Sequence, residues 1–243
     1  MPELNKANRQ VCDCDIRFLD TKKPFLFFDT ANTTTVGLTG DSVYAMKKGT
    51  RAVAFQNPIE GTLTIEAQVV PFKFFAMMSD GTIETTAVKA VKKTITATTA
   101  GSLSIPGATA GTVYVFAEGD FGGTEIEGTY ASDTFTATTA EDIAADARYE
   151  VGYITTKTTG VKRVSFNDAK IPRDYYITMS TLDKDEEGTL TPFIITAYKA
   201  TVNRDFEMSF NSEGDPVSYS ISFSLMADKD NNVLDFVEDT SED

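Results

Sequence analysis

Residues 206–225 carry the most regular alternation in the chain: FEMSF, a break at NSEGDP, then VSYSISFSL. Phe206, Met208 and Phe210 alternate with Glu207 and Ser209. Val217, Tyr219, Ile221, Phe223 and Leu225 alternate with Ser218, Ser220, Ser222 and Ser224. A two-residue period puts one set of side chains on a buried face of a strand and the other set on the opposite face. Gly214, Asp215 and Pro216 break helix and ladder alike, so the two runs are predicted to pair as a β-hairpin. The outward face is serine, where monomers ordinarily protect long strands with charge. Such a face suits contact with another copy of the chain. The expected assembly surface is therefore Phe206, Met208, Phe210, Val217, Tyr219, Ile221 and Phe223 with Ser218, Ser220 and Ser222, at a seam between copies. On that reading Ile221→Asp abolishes polymerisation by burying an unpaired charge.

The same period recurs elsewhere. Cys12, Cys14, Ile16 and Phe18 alternate up to a turn at 20–24, and a second strand runs through Phe25 to Phe28. Residues 29–42, rich in Thr, Asn and Gly, read as a loop. In GTLTIEAQVV at 61–70, Leu63, Ile65, Ala67 and Val69 share one face. Pro71 then opens PFKFFAMMSDG, a short helix stopped at Asp80-Gly81. A weaker helical pattern lies at 138–150, with Thr139 as its cap. YYITMSTL and PFIITAYKATV are two further strands joined by the polar DKDEEG.

Between about 84 and 160 the composition turns to Thr, Ala and Gly, and short strands follow one another at turn-punctuated intervals, the rhythm of a small β-sandwich. The predicted organisation is a β core over 1–83, an inserted β domain over 84–160, and the rest of the core with an acidic tail over 161–243. The fold class is all-β: an antiparallel sandwich or half-barrel with one short flanking helix, plus the inserted sandwich.

Composition narrows the chemistry. The 243 residues contain no histidine and no tryptophan. Without histidine there is no Ser-His-Asp or Cys-His catalysis, and most zinc chemistry is excluded. Paired-carboxylate glycosidases survive that test, but no tryptophan exists to line a sugar cleft. No phosphate-binding glycine loop occurs. The chain reads as a non-enzyme with no cofactor. Asp120-Phe121-Gly122 spells a kinase tripeptide but lacks the histidine-containing catalytic loop, so it reads as a turn. The acidic loops at Asp183–Gly188 and from Asp228 to Asn232 begin like calcium loops. Ile194 and Asp239 stand where a bidentate Glu is needed, and both loops read equally well as hairpin turns. Cys12 and Cys14 are too close to close a useful loop, and read as reduced core residues.

The formal net charge is −14. From Asp205 to Asp243 there are eleven acidic residues and one basic residue, Lys229. Such a surface repels nucleic acid, so stable DNA binding is disfavoured while passage of DNA without sticking is not. No apolar run long enough for a membrane helix occurs, and MPELNKANRQ is not a signal peptide, so the expectation is a soluble protein made in the cytoplasm.

The order of these elements resembles the tail tube (major tail) proteins of phages that infect Gram-positive bacteria. The likeness lies in KGTRAVAFQNPIEGTLTIEAQVVPFKFFAMMSDG, IPRDYYIT, FIITAYKATV, the FEMSF run with Glu213-Gly214-Asp215-Pro216, and DKDNNVLDF, across residues 10–83 and 161–237. It implies hexameric rings stacked into a hollow tube through which DNA leaves the capsid. Implied partners are further copies of the chain, the tape-measure, tail terminator and baseplate proteins, and a sheath if the tail contracts. The implied location is the virion. The insert departs from a minimal tube subunit, and its expected place is the outer surface. The competing readings are a head-decoration protein and a carbohydrate- or surface-binding β-module.

Overall fold

The computed structural model describes residues 5–208, 210, 212–214 and 216–240. The chain divides into two compact units. One comprises the residues up to Thr82 and those from Ser165 onward, and the other is Ile83–Val164. In chain order the first unit opens with β1 (Lys6–Asn8), β2 (Asp13–Phe18), β3 (Pro24–Phe28), β4 (Thr33–Thr39), β5 (Ser42–Lys47), β6 (Thr50–Gln56) and β7 (Glu60–Ala67). Helix α1 (Lys73–Met77) follows. The second unit holds β8 (Ala87–Thr96), β9 (Ser102–Ser104), β10 (Tyr114–Ala117), β11 (Gly128–Ala131), β12 (Thr134–Ala137) and β13 (Arg148–Lys157). The first unit closes with β14 (Asp174–Asp185), β15 (Leu190–Val202), β16 (Tyr219–Met226) and β17 (Leu234–Glu238). The protein is all-β, with antiparallel sheets and one short helix.

The first unit is organised by one nine-stranded sheet, in the order β3-β2-β14-β15-β16-β7-β4. Its spine is the long hairpin β14–β15, which outruns its neighbours. At one end β2 and β16 flank it, and at the other β1 pairs with β14 and β17 with β15. Alternation fixes the inner face. Ile177 and Met179 of β14 lie opposite Ile16 and Cys14 of β2, and Ile221 and Phe223 of β16 lie opposite Ile65 and Leu63 of β7. All eight side chains are buried. Each large apolar side chain removed from water in this way contributes roughly 1.5–3 kcal/mol.

Helix α1 covers part of that face. Phe74, Ala76 and Met77 are buried, and the Phe74 ring stacks 5.8 Å from Phe28. Gly81, at φ +79°, donates its N–H to the Ala76 carbonyl at 2.9 Å and stops the helix, as the Asp-Gly signal predicts. The helix is nevertheless shorter than its pattern: no side chain caps it, and its first turn is held by Phe74 N–H donating to the Pro71 carbonyl at 2.9 Å and Phe75 N–H to the Phe72 carbonyl at 3.3 Å.

In the second unit two three-stranded sheets, β10-β13-β8 and β11-β12-β9, contribute to one core of Leu103, Val115, Phe135, Ile143, Tyr149 and Val151 with their smaller neighbours. The ends of this unit meet as an antiparallel bridge, Glu84 and Arg163 each donating N–H to the other's carbonyl at 2.8 Å.

Three expectations are corrected. Residues 29–42 are not all loop: Thr33–Thr39 form β4, paired along its length with β7. Threonine is β-branched and favours an extended backbone once a neighbouring strand is available. The helix expected at 138–150 is a single 3-10 turn, Ala140–Asp142, with no side-chain bond from Thr139. Tyr149 instead accepts the Ala144 N–H at its hydroxyl (2.8 Å), and β13 begins at Arg148. The hairpin expected across 206–225 is absent: Phe206, Met208 and Phe210 lie in no strand, and the sheet neighbours of β16 are β7 and β15. Ser209 and Asp215 lie outside the described residues.

Candidate assembly surface

The ten residues expected to form one surface are distributed over three environments. Phe206 is half-buried, its ring centroid 5.9 Å from that of Phe75, so the chain leaving β15 turns toward the helix instead of folding back on β16. Met208 is half-buried and Phe210 exposed, while Val217 and Ser218 precede β16. Tyr219 packs edge-on to Phe75 at 5.7 Å. Ile221 and Phe223 belong to the subunit's own core. Asp at position 221 therefore disrupts folding before it can report on assembly.

What remains of the expected surface is the opposite face of β16, and here neighbouring strands extend it. Ser222 lies opposite Thr64, which lies opposite Thr35, and the Ser222 and Thr64 hydroxyl oxygens are 3.3 Å apart. Ser220 is in register with Glu66 and Thr33, and Ser224 with Thr62. Ser224 donates to the Asn203 side-chain carbonyl at 2.9 Å. The result is a hydroxyl-covered sheet face on β16, β7 and β4, three strands that contain no lysine or arginine.

A second feature was not legible in the sequence. β4 passes into β5 through Gly40 and Asp41, and β6 passes into β7 through Asn57, Pro58 and Ile59. Asn57 N–H still donates to the Asp41 carbonyl at 2.9 Å, but Pro58 has no N–H to give and the ladder breaks there. β5–β6 is thus the continuation of the edge hairpin β4–β7 past the rim of the sheet. Its six-residue strand β5 reaches about 20 Å at ~3.3 Å per residue. Apart from half-buried Ser42, every residue of both strands is exposed.

This ribbon is apolar. Val43 pairs with Phe55 and Ala45 with Val53, which gives one face a hydrophobic stripe in which Val43 is 58%, Phe55 59% and Val53 51% exposed. On the ribbon Arg51 also carries its guanidinium 4.2 Å over the Tyr44 ring. A two-stranded hairpin alone in water is marginally stable, and uncovered apolar stripes mark contact surfaces.

The remaining candidate chemistry resolves into structure. Asp185 accepts the N–H groups of Glu187 (3.0 Å) and Thr189 (2.7 Å), and Asp228 accepts those of Asp230 and Asn232 (both 2.9 Å), so both acidic loops are carboxylate-held turns. Asp120 likewise accepts the Thr124 N–H at 3.0 Å. Burial pushes the Cys14 thiol up to about 12, with nearby Cys12 adding to the effect, and both cysteines are free. Among the described residues no group of acidic or cysteine side chains is arranged to hold a metal ion, and no helix is long and apolar enough to cross a membrane.

The chain is all-β, and its distinctive features are a hydroxyl-covered sheet face and an uncovered apolar ribbon, both of them surfaces suited to contact. The chain belongs to the YomU/Tube protein family, whose model matches residues 9–238, and so to a phage-type tube family. The match spans the second unit as well as both parts of the first. No curated protein matches the chain.

Proposed function

We propose that this protein is the tail tube subunit of a phage, and that its copies close into rings, six to a ring as in the tail tube family it resembles, which stack into the hollow conduit for DNA. The observation that carries this reading is the β5–β6 ribbon, an apolar arm whose two strands, among the described residues, pair only with each other. A second copy supplies its cover. The hydroxyl face of β16, β7 and β4 lines the lumen: it offers DNA no cation to displace phosphate counterions, so the duplex passes without adhering. The free edges of the nine-stranded sheet are closed by neighbouring copies around the ring. The subunit is a virion component, with the tape-measure, terminator and baseplate proteins as its neighbours at the tube's core and ends.

Negative-stain electron microscopy of the purified protein at rising concentration tests this. Stacked rings or hollow tubes are expected. Discrete small particles at every concentration would overturn the reading in favour of a decoration or binding module.

A further inference from the structure

We propose that the acceptor for the ribbon is the far end of the β14–β15 hairpin of a second copy, where β17 forms the edge. The inference rests on the self-assembly reading above and adds the partner surface to it.

The acceptor end is itself uncovered. Among the described residues β17 pairs with β15 alone, and its Phe236 is 56% exposed although it stacks on Phe193 at 5.9 Å. Val237, next to it in β17, and Leu190, at the start of β15, are exposed on the opposite face of the sheet. An edge strand with exposed apolar side chains is a template for contact with another chain.

Charge selects which surface covers it. The ribbon is a basic island in an acidic chain: between Ser42 and Gln56 stand Lys47, Lys48 and Arg51 and no acidic residue, against a net charge of −14 overall. The hairpin end is the reverse. Its turn carries Asp185, Glu186 and Glu187 in succession, next to the cation Lys184, and β17 ends on Glu238 with Asp239 following. Asn5 donates to Glu186 at 2.9 Å and Lys6 is ion-paired with Glu238, which orients these carboxylates without reversing the sign of the end.

The two surfaces also share a layout. On the ribbon the cations sit at the tip, and Val43 lies four residues behind Lys47, about 13 Å at ~3.3 Å per residue. On the hairpin the acidic turn follows Asp185, and Phe193 lies three residues along β15 from Leu190, about 10 Å on the same rise. Tip charges of opposite sign therefore meet when the apolar stretches are alongside. Opposed charge fixes register and partner, and apolar burial supplies the affinity.

The test is charge reversal at exposed positions that leave the fold intact, checked by an unchanged thermal midpoint. Lys47→Glu/Lys48→Glu and, separately, Glu186→Lys/Glu187→Lys should each raise the concentration needed to pellet polymers tenfold or more at low salt. The two reversals combined in one chain should restore assembly, because opposite charges again face each other. Wild-type polymers should also weaken as salt rises from 0.05 to 0.5 M, over which the Debye length shrinks well below about 10 Å. Polymerisation of either single reversal at the wild-type concentration, or a combined chain no better than the singles, overturns the acceptor assignment while leaving the tube reading intact. A wild-type chain that never assembles overturns both.

Discussion

Replacing the apolar stripe of the ribbon, Val43→Thr, Val53→Thr and Phe55→Thr together, separates assembly from folding. Threonine keeps the β-branched backbone preference, so the two strands retain their register. The three side chains are 58%, 51% and 59% exposed, and among the described residues β5 and β6 pair only with each other, so any cost of their removal falls on the ribbon and spares the nine-stranded sheet. Covering the exposed half of such a side chain contributes about 1 kcal/mol, taking half of the full-burial value. Threonine retains one methyl, which leaves a loss of about 2 kcal/mol per ribbon contact. At ~1.4 kcal/mol per tenfold, the concentration at which polymers form should rise about 30-fold. Costs of association common to both proteins cancel in the difference. Sedimentation across a concentration series reads this shift, and circular dichroism should show the same melting midpoint as wild type. A polymerisation threshold within threefold of wild type would refute the ribbon as a contact. A midpoint lowered by many degrees would show instead that the stripe packs within its own subunit.

Three further predictions concern the fold that carries the ribbon. Phe223→Ala removes a fully buried ring from the β16–β7 core and should cost about 3–5 kcal/mol in urea unfolding; a loss under 1 kcal/mol would contradict its core position. In the second unit a Cβ at Gly152 would lie 3.0 Å from the Phe121 ring, over which Lys92 stands at 4.5 Å. Gly152→Val should therefore displace Phe121, and unchanged ring proton shifts would exclude that packing. Asp80 is held below the ordinary carboxylate value chiefly by the Thr82 hydroxyl, with help from the Thr82 N–H and Lys170. Because its folded value is the lower one, the stability it contributes is present above the ordinary carboxylate range and is lost as pH falls through the folded value. Thr82→Val should raise the Asp80 titration midpoint followed by NMR, and an unmoved midpoint would remove the hydroxyl as its cause.

The sequence was most legible where alternation is an intrinsic property of a segment. The faces of β7, β14 and β16 follow directly from the order of their side chains, and Ile65, Ile177 and Ile221 are buried as their period requires. Alternation does not name a neighbour. β16 reads as the second half of a local hairpin, yet its partner β7 lies some 150 residues earlier, and Phe206 packs on Phe75 instead of pairing in a ladder. Threonine content hid β4 for a related reason: a Thr-rich stretch is loop-like in composition and strand-like in backbone preference, and only the presence of β7 decides between them.

The ribbon shows the limit most clearly. VYAM and AVAF carry no local sign that separates them from buried strands, since a strand is buried or exposed according to what lies beside it. The break at Pro58 marks where the ladder stops, but not that, among the described residues, no third strand then pairs with the two that continue. Bulk charge concealed the other half. A net of −14 describes the whole chain and masks three cations gathered on one apolar arm. The proposed surface for self-association is thus encoded as a local departure from the molecule's average, in charge at the tip and in exposure behind it. That departure is visible only once the strands are placed.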